Sequence, residues 1–524
     1  MTTTSPIDTS EELSHRAIME VMVGVLAALF TALVSSTIVA NALPTIIADL
    51  DGTQSQYTWI VTTSLLAMTV STPIWAKLSD LFNKKLLIQL SIVTFVAGSV
   101  IAGFSQSVPM LLVARGLQGL AMGGITALAQ AIIGSIIPPR ERGRYAGYMG
   151  GVMALATVSG PLVGGVIVDS SLGWRWTFFV CVPLAVMSLV ILQRYLKLPT
   201  LVKDVKVDYV GAVLIAIAAS LPLLWVTFAG SSYAWLSWQS ALFVGGTVVA
   251  TVAFVIVESK VAEPIVPLKV FRDRTTALAI IASVAVGIAM FGSSVFLGQY
   301  LQVARSYSPT EAGLITIPMM IGSLIGTIGS GNLIVRYGRW KGFLVAGSAL
   351  LIAGLGLLGT IDHATVLWHL WIFMFLMGLG MGMLMQNLVL AVQNTVDVTE
   401  IGATSGAVAF FRSLGGTVGV SVLGAILASS VTDKITSGLA ALGVPASESS
   451  AGGTLDLAHM PPAIAGLVRT SYGDATGEIF LVAAGVAVIA LLAVLFIKEV
   501  PLRTTVRKHD AAEPEGELAE VAAR

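Results

Sequence analysis

The sequence predicts an all-α polytopic membrane protein of fourteen transmembrane helices, arranged as two pseudo-symmetric six-helix bundles plus two inserted helices. Three observations predict this: the composition, a series of apolar runs of spanning length, and an internal repeat. Of the 524 residues, 56% are hydrophobic and 11% are charged, whereas soluble domains carry about 25% charged residues. Such a chain cannot cover a water-facing surface, so it belongs in a membrane.

Apolar runs of about 20 residues, the length that crosses a roughly 30 Å hydrocarbon core, occur fourteen times along the chain. Helices are expected, because open strands would leave backbone groups unpaired in lipid. The predicted spans are 19–43, 57–77, 86–104, 108–133, 144–168, 175–195, 209–229, 239–257, 276–299, 311–335, 343–361, 366–392, 405–430 and 476–498.

Orientation follows from the distribution of positive charge between the spans. About 23 of the 29 Lys and Arg side chains fall on one set of connections, and the positive-inside rule assigns that set to the cytoplasm. Both termini are therefore expected to be cytoplasmic in the cell (plasma or inner) membrane. The other set has only Arg175, Arg305, Lys434 and Arg469.

An internal repeat supports two homologous halves. The segment AKLSDLFNKK at 76–85 is echoed by GNLIVRYGRW at 331–340, and the same offset aligns Gly160 with Gly415 and Gly164 with Gly419. Repeated halves of this kind usually enclose a site near the membrane midplane and rock around it.

The repeat and the spans together divide the chain. We expect cytoplasmic tails at 1–18 and 499–524, an N-terminal bundle at 19–198, two inserted helices with a cytoplasmic linker at 199–275, and a C-terminal bundle at 276–498 that includes a long extracytoplasmic loop at 431–475.

Other partners and cofactors are not indicated. The formal net charge of zero argues against nucleic acid. The single Cys181 excludes an internal disulfide, and the five histidines have no ligand spacing, so no metal site and no bound cofactor are expected. No nucleophile with a neighbouring base is visible, which disfavours an enzyme.

Three local motifs are more specific than the hydropathy. The first follows span 2 and comprises Ala76, Leu78, Asp80, Asn83, Lys84 and Lys85. The second lies in span 4 and comprises Arg115, Gln118 and Gly119. The third, in span 5, pairs Gly151 with GPLVGG at 160–165.

These motifs resemble those of the major facilitator superfamily, and the third is similar to the pattern of its fourteen-span drug:proton antiporter branch. Two glycines of the first motif are replaced here. The resemblance implies a conformational latch at Asp80, Lys84 and Lys85, with basic partners Arg140 and Arg144 across the next cytoplasmic loop. The alternative is a solvated surface pair that contributes little energy.

The span 5 motif places small residues on one helix face, at Gly151, Gly160, Gly164 and Gly165, with Pro161 between them. Small residues allow close helix packing, and proline allows bending. We expect a tight contact between the halves that seals one gate while the other opens. Ordinary small-residue packing is the alternative.

Coupling is harder to predict. The resemblance implies a span 1 carboxylate two residues before Thr-Ile-Val, where this chain has Ser35, so the usual proton site is vacant. Arg115 lies inside a span, where an arginine normally faces a cavity or a partner. Arg412 has the same problem, with packing or gating as equal alternatives. Glu311 is the leading replacement proton carrier, although a helix-end charge is the commoner explanation.

Polar groups of the substrate cavity are predicted at Ser35, Asn41, Gln118, Gln386 and Asn387. Intramembrane amides more often bridge helices than bind ligands. Together with the Met-rich stretch at 377–387 they would form an adaptable pocket for amphiphiles.

The function predicted from these features is export of hydrophobic or amphiphilic small molecules by a monomeric secondary transporter, through alternating access driven by a proton gradient. Membrane lipid would be its other partner. Two alternatives stay open because of Ser35: export of an envelope lipid or metabolite with altered coupling, and a non-transporting membrane sensor or assembly protein.

Overall fold

The computed structural model describes residues 15–136, 142–196, 209–229, 233–234, 236–261, 268–395, 401–441 and 461–500. Within these residues the chain forms fourteen successive helical rods. They are α1 His15–Asp49, α2 Gln54–Leu81, α3 Lys84–Gly103, α4 Val108–Ile136, α5 Arg142–Asp169, α6 Trp176–Phe179 with Cys181–Tyr195, α7 Tyr209–Phe228, α8 Trp238–Lys260, α9 Arg274–Gln299, α10 Pro309–Ile315 with Ile317–Tyr337, α11 Lys341–Leu358, α12 Leu367–Thr395, α13 Ile401–Ala441 and α14 Pro462–Phe496.

Twelve of these described rods are long and apolar enough to cross a membrane, and the other two, α5 and α7, contain shorter apolar segments at Ser159–Asp169 and Val210–Val226. The prediction of an all-α polytopic fold is confirmed. We call the face at which α1 begins the proximal face, and the face at which α1 ends the distal face.

Two sets of six helices pack by the same scheme. In the N-terminal half α1 packs on α5 and α6, and α4 packs on α2 and α3. In the C-terminal half α9 packs on α13 and α14, and α12 packs on α10 and α11. The halves meet along two reciprocal seams, α2 with α13 and α5 with α10. The arrangement follows from the internal repeat, since equivalent helices have equivalent neighbours.

The inserted helices lie over one seam. α7 packs against both α2 and α13 and pairs with α8. Ile215 of α7 joins a small cluster with Phe410 and Phe411 of α13, and Phe228 contacts the ring of Trp59 on α2. The insertion therefore covers the α2–α13 seam, while most of α8 is exposed.

The predicted loop at 431–475 is wrong at both ends. α13 remains helical to Ala441 and α14 begins at Pro462; residues 442–460 lie outside the described residues. The helices continue because their facing sides stay buried: Val431, Ile435 and Leu439 pack in the same core as Val468. This segment is rich in Ala, Gly and Ser, which are common in loops, but such small side chains also allow two helices to pack closely.

The glycines of α5 make two different contacts. A Cβ on Gly160 would collide with Thr37, and one on Gly164 would lie 2.9 Å from the Ile38 carbonyl oxygen, so both pack on α1 of the same half. Gly165, whose Cβ would lie 2.5 Å from Thr310 Cα, instead faces the other half. The expectation that the whole motif lies between the halves is therefore wrong for Gly160 and Gly164.

The C-terminal half repeats this contact. Gly415 and Gly419 of α13 approach Val284 and Ile288 of α9 as closely as their counterparts approach α1. A side chain at any of these positions would separate two helix backbones. The motif thus holds each half together as a rigid body.

We expect Gly164→Leu to destabilise the N-terminal half, since overpacking of a tight contact costs about 1–3 kcal/mol. The apparent melting temperature of the purified protein in detergent checks this. The matched control is Gly245→Leu on α8, because a Cβ on Gly245 meets nothing within 4 Å. Equal melting temperatures for the two variants would contradict the assigned packing.

Candidate functional site: the space between the halves

Asn41 joins the two halves near the distal face. Its Nδ2 donates to the Pro161 carbonyl of α5 at 3.0 Å and to the Pro309 carbonyl of α10 at 3.0 Å. Gln302 Nε2, at the end of α9, donates to the Asn41 backbone carbonyl at 2.7 Å. One amide residue therefore links α1 to α5 in its own half and to two segments of the opposite half.

A carboxylate reinforces the same seam. Asp169, the last residue of α5, accepts a hydrogen bond from the Thr310 backbone N–H at 2.9 Å. This N–H belongs to the first turn of α10, where backbone donors are unpaired and a negative charge is favoured. Beside it, a Cβ on Gly313 would lie 2.7 Å from the Pro161 carbonyl oxygen. The backbones of α5 and α10 are thus in direct contact.

Beside the second seam, two amides and two phenols join α2 to α9 and α14 at the distal end. Gln54 at the start of α2 exchanges hydrogen bonds with Gln299 at the end of α9, one of them at 3.2 Å. Tyr472 of α14 donates to Gln54 Oε1 at 3.2 Å. Tyr57 donates to the Val295 carbonyl at 3.1 Å.

Hydroxyl pairs continue this seam toward the membrane centre. Thr62 lies 3.1 Å from Ser421, and Thr69 lies 2.7 Å from Ser413, in each case oxygen to oxygen. These hydroxyl pairs extend the hydrogen bonding between the halves to the middle of α2 and α13. The two halves are therefore joined at the distal face and down to about the middle of α2.

Arg115 is buried inside the N-terminal half, with 3% of its surface exposed. Its Nη1 donates to Gln118 Oε1 at 2.9 Å, its Nε approaches the Ile60 carbonyl at 3.4 Å, and Gln118 donates onward to Ser99 at 2.9 Å. This places Gln118 in a network among α2, α3 and α4. The prediction that Gln118 lines the substrate cavity is wrong in this conformation.

Arg412 lies farther from the end of its helix than Arg115 does, and its guanidinium has weaker hydrogen bonding. Its Nη1 reaches the Met385 carbonyl of α12 at 3.5 Å, a long and weak contact. The next residue, Ser413, touches Thr69 across the seam. Arg412 as a whole residue is half-buried, and it lies between α12 and the α2–α13 seam, beside the boundary between the halves.

Ser35 does not face this space. Its side chain is fully buried, its hydroxyl lies beside the Cys181 thiol of α6, and no hydrogen-bond partner is present among the described residues. The reason is the rotation of α1: one helix face, marked by Gly24 against Ile191, packs on α6. Ser35 is three turns further along that face, so its prediction as a cavity residue is wrong.

The other predicted amides divide in the same way. Asn387 is buried and donates to Ser330 Oγ at 2.8 Å and to the Met383 carbonyl at 2.7 Å, so it bridges α12 and α10 and does not line a cavity. Gln386 beside it is exposed. Gln386 therefore remains a cavity candidate, and Asn41 belongs to the distal seam.

Glu311 forms a capping box at the start of α10. The Ser308 N–H donates to Glu311 Oε2 at 2.8 Å and the Glu311 N–H donates to Ser308 Oγ at 3.2 Å. Reciprocal bonds of this kind satisfy two free backbone donors at a helix start. The side chain is exposed at the distal face. This geometry accounts for Glu311 as a helix cap.

The predicted latch residues are only partly described. The side chains of Asp80 and Arg144 and all of Arg140 lie outside the described residues, as do the surroundings of Gly151 in the span 5 motif. Lys85 donates from Nζ to the Gln193 carbonyl at the end of α6, at 2.7 Å. Lys341 does the same to Leu495 of α14 at 2.9 Å. Lys85 thus links α3 to α6 within one half. Lys84, at the start of the same helix, is half-buried.

Comparison with known proteins identifies the family. The sequence profile described as Major Facilitator Superfamily matches residues 25–420. The chain belongs to this superfamily. An uncharacterized MFS-type transporter of Mycobacterium tuberculosis is 36% identical over 93% of this chain and 71% of its own length. The multidrug transporter protein MdtP of Bacillus subtilis is 34% identical over 82% of this chain and 79% of its own length.

Solved structures share the fold. A bacterial homolog of the human lysosomal transporter Spinster, in an inward-facing and unoccupied conformation, has a TM-score of 0.63 and 16% identity, and the match covers 93% of this chain and 100% of that one. An auto-inhibited peptide transporter of the POT family has a TM-score of 0.63, 14% identity, and coverage of 92% and 98%. Major facilitator proteins are transporters and not enzymes, which confirms that prediction.

Sequence reasoning missed the residues that close the distal seams: Gln54, Tyr57, Asp169, Gln299 and Tyr472. The one available signal was their position, since each lies near a helix end or in the first turns of a span. Position alone does not show which residue of the other half will lie opposite.

We expect Asn41→Ala to weaken the closed distal seam. Of the two bonds that the Asn41 side chain donates, the one to the Pro309 carbonyl crosses between the halves. A hydrogen bond contributes a net ~0.5–1.5 kcal/mol, so losing this one would shift the equilibrium roughly 2- to 13-fold toward a distal-open state. The rate of thiol labelling at Thr310→Cys, in a Cys181→Ser background, measures this. Asn387→Ala is the control, because it breaks comparable bonds inside one half. An equal labelling increase in both would contradict the assignment.

Proposed function

We propose that this protein exports hydrophobic or amphiphilic small molecules by alternating access. The observation that carries the proposal is the series of hydrogen bonds that joins the halves from the distal face down to Thr69 and Ser413. Two rigid halves joined at one face can rock to expose a shared space to the other.

The chemistry of the seam supports repeated opening. Apart from Asp169, its side chains are neutral amides and hydroxyls. Bonds of this kind contribute little net energy, because water replaces each of them when the seam opens. Opening a seam of buried ion pairs would cost several kcal/mol for each charge that is left buried without its partner. The halves are therefore held by contacts suited to a cycle.

Names of relatives support the substrate class. Besides MdtP, a Bacillus subtilis protein named multidrug resistance protein 3 is 29% identical over 93% of this chain and 96% of its own length. We infer membership of the fourteen-span antiporter branch from the span 5 motif and the two inserted helices. We infer cytoplasmic termini from the Lys and Arg distribution, which makes the distal face extracytoplasmic.

The proposal extends to a proximal latch. Asp80 at the end of α2, with Lys84, Arg140 and Arg144 nearby in sequence, would close the proximal face when the distal seams open. We expect Asp80→Asn to slow turnover far more than it weakens substrate binding, because it changes the populations of two states. Equal losses in both quantities would point to a folding defect.

Accumulation of a fluorescent amphiphile in cells with and without the gene tests the proposed export. Cells with the gene should retain less dye, and an uncoupler should abolish the difference if proton motive force drives export. A mutant carrying Gly165→Leu, which obstructs the α5–α10 contact, is the inactive control. Equal retention with and without the gene would refute export of this substrate class.

Proton coupling through Glu311 has a separate test. Because glutamine also completes a capping box, Glu311→Gln should preserve α10 and leave uphill export unchanged, whereas Glu311→Ala should lower thermal stability. Export by the two variants and their melting temperatures are compared with wild type. Loss of uphill export in Glu311→Gln, with downhill exchange retained, would instead identify Glu311 as the proton carrier.

A further inference from the structure

Within the described helices, the middle of the membrane region carries positive charge and no carboxylate. The acidic residues of the helical rods lie toward rod ends or at distal contacts, as with Glu20 near the start of α1 and Glu258 near the end of α8. Glu478 of α14 faces Lys434 on α13, in the stretch where both helices reach the distal side. Arg115 and Arg412 are the basic residues deep inside spans.

Arg412 is the less buried of these two residues, and it lies beside the α2–α13 seam, where its neighbour Ser413 contacts Thr69 of the other half. It lies eleven residues from the start of α13, which is about 16 Å along a helix that rises 1.5 Å per residue. The residue is half-buried at that depth, whereas Arg115 is buried and bonded to Gln118 and to the backbone of α2. Arg412 therefore lies near the midplane, where a molecule that enters between the halves could contact it.

The partners present do not satisfy this guanidinium. It offers five N–H donors, and in the described residues its contact is the Met385 carbonyl at 3.5 Å. No carboxylate of the described chain contacts it. An arginine within a span is costly to insert into a membrane, and it normally acquires an anionic partner or faces water. The unpaired N–H donors of Arg412 could therefore bind an anionic group of a ligand.

The surroundings of Arg412 are apolar. Met385 on α12 belongs to a run of methionines that also includes Met377, Met381 and Met383. Flexible thioethers adapt to differently shaped hydrophobic groups. Phe411 lies beside Arg412 and packs on Phe271. A ligand at this place would put a charged group on Arg412 and an apolar body against α12.

We propose that the transported substrate is an amphiphilic organic anion whose carboxylate, sulfonate or phosphate group binds Arg412. This inference rests on the proposed export function and specifies its substrate class. A guanidinium binds such groups through paired hydrogen bonds. Cationic amphiphiles are disfavoured, because no carboxylate at this depth would balance their charge and Arg412 would repel them.

Anion export would also explain why span 1 has Ser35 at the position where a carboxylate is expected. In the proposed orientation an anion moves outward from a negatively charged interior. A membrane potential of 100 mV alone then supports about a 50-fold gradient for each net charge. Export of an anion therefore needs no proton-carrying side chain at the midplane, and Ser35 can serve purely for packing against α6.

Two xanthene dyes of opposite charge test the proposal: fluorescein, an anion, and rhodamine 123, a cation. Binding to the purified protein is measured by fluorescence polarisation, and uptake is measured in proteoliposomes under a potassium-valinomycin potential. We expect fluorescein to bind at least tenfold more tightly than rhodamine 123. Its transport should follow the imposed potential in the direction of an anion.

Variants assign the charge to Arg412. Arg412→Gln should weaken fluorescein binding about tenfold or more and leave rhodamine 123 binding unchanged or stronger, and Arg412→Lys should restore part of the fluorescein affinity. Arg336→Gln, which removes an exposed charge at the end of α10, is the matched control and should change neither. Melting temperatures show whether each variant is folded.

The outcomes separate the two proposals. Tighter binding and transport of rhodamine 123 would overturn the anion inference and leave the export function standing. Equal weakening of both dyes in Arg412→Gln, with the fold intact, would also overturn it. If neither dye binds or moves, both the substrate class and the proposed export of amphiphiles fail.

Discussion

At Asn41, near the distal face, one side-chain amide donates to backbone carbonyls of both α5 and α10 and so joins the two halves; we call this contact the distal junction. Proline lies at both acceptor positions, in Pro161 and Pro309, so the helices present rigid backbone there. Both seams must part for the space between the halves to open distally. Because the junction is made of neutral hydrogen bonds, its net strength stays small enough to be reversed.

Such a junction works only if each half moves as one body. The close backbone contacts of α1 with Gly160 and Gly164, and of α9 with Gly415 and Gly419, provide that rigidity. Lys85 and Lys341 add a matching pin at the proximal ends, each bonded to a last-turn carbonyl of the neighbouring helix, where the helix dipole favours a cation. The equivalent contacts of the two halves explain why the seams are reciprocal.

Much of the fold was predictable from the sequence, because span length and the internal repeat are properties of the chain alone. The side of a helix on which a residue faces was not. Ser35, Gln118 and Asn387 are polar residues in spans, and only the packing of α1 on α6, α4 on α3 and α12 on α10 decides that they face protein interior. Glu311 was the opposite case, since Ser-Pro-Thr-Glu is the sequence pattern of a capping box. The bond between Asp169 and Thr310 joins residues far apart in sequence, so no local pattern indicates it.

The two halves are closed against each other at the distal face in this state, and alternating access requires a second state in which they are closed at the proximal face. Distances between spin labels in lipid nanodiscs test it most directly, with one distal pair at Ser170→Cys and Thr360→Cys and one proximal pair at Leu86→Cys and Arg339→Cys, in a Cys181→Ser background. The account predicts two distance populations for each pair, and conditions that lengthen the distal distance should shorten the proximal one. Distances that stay fixed, or that lengthen together at both faces, would contradict it.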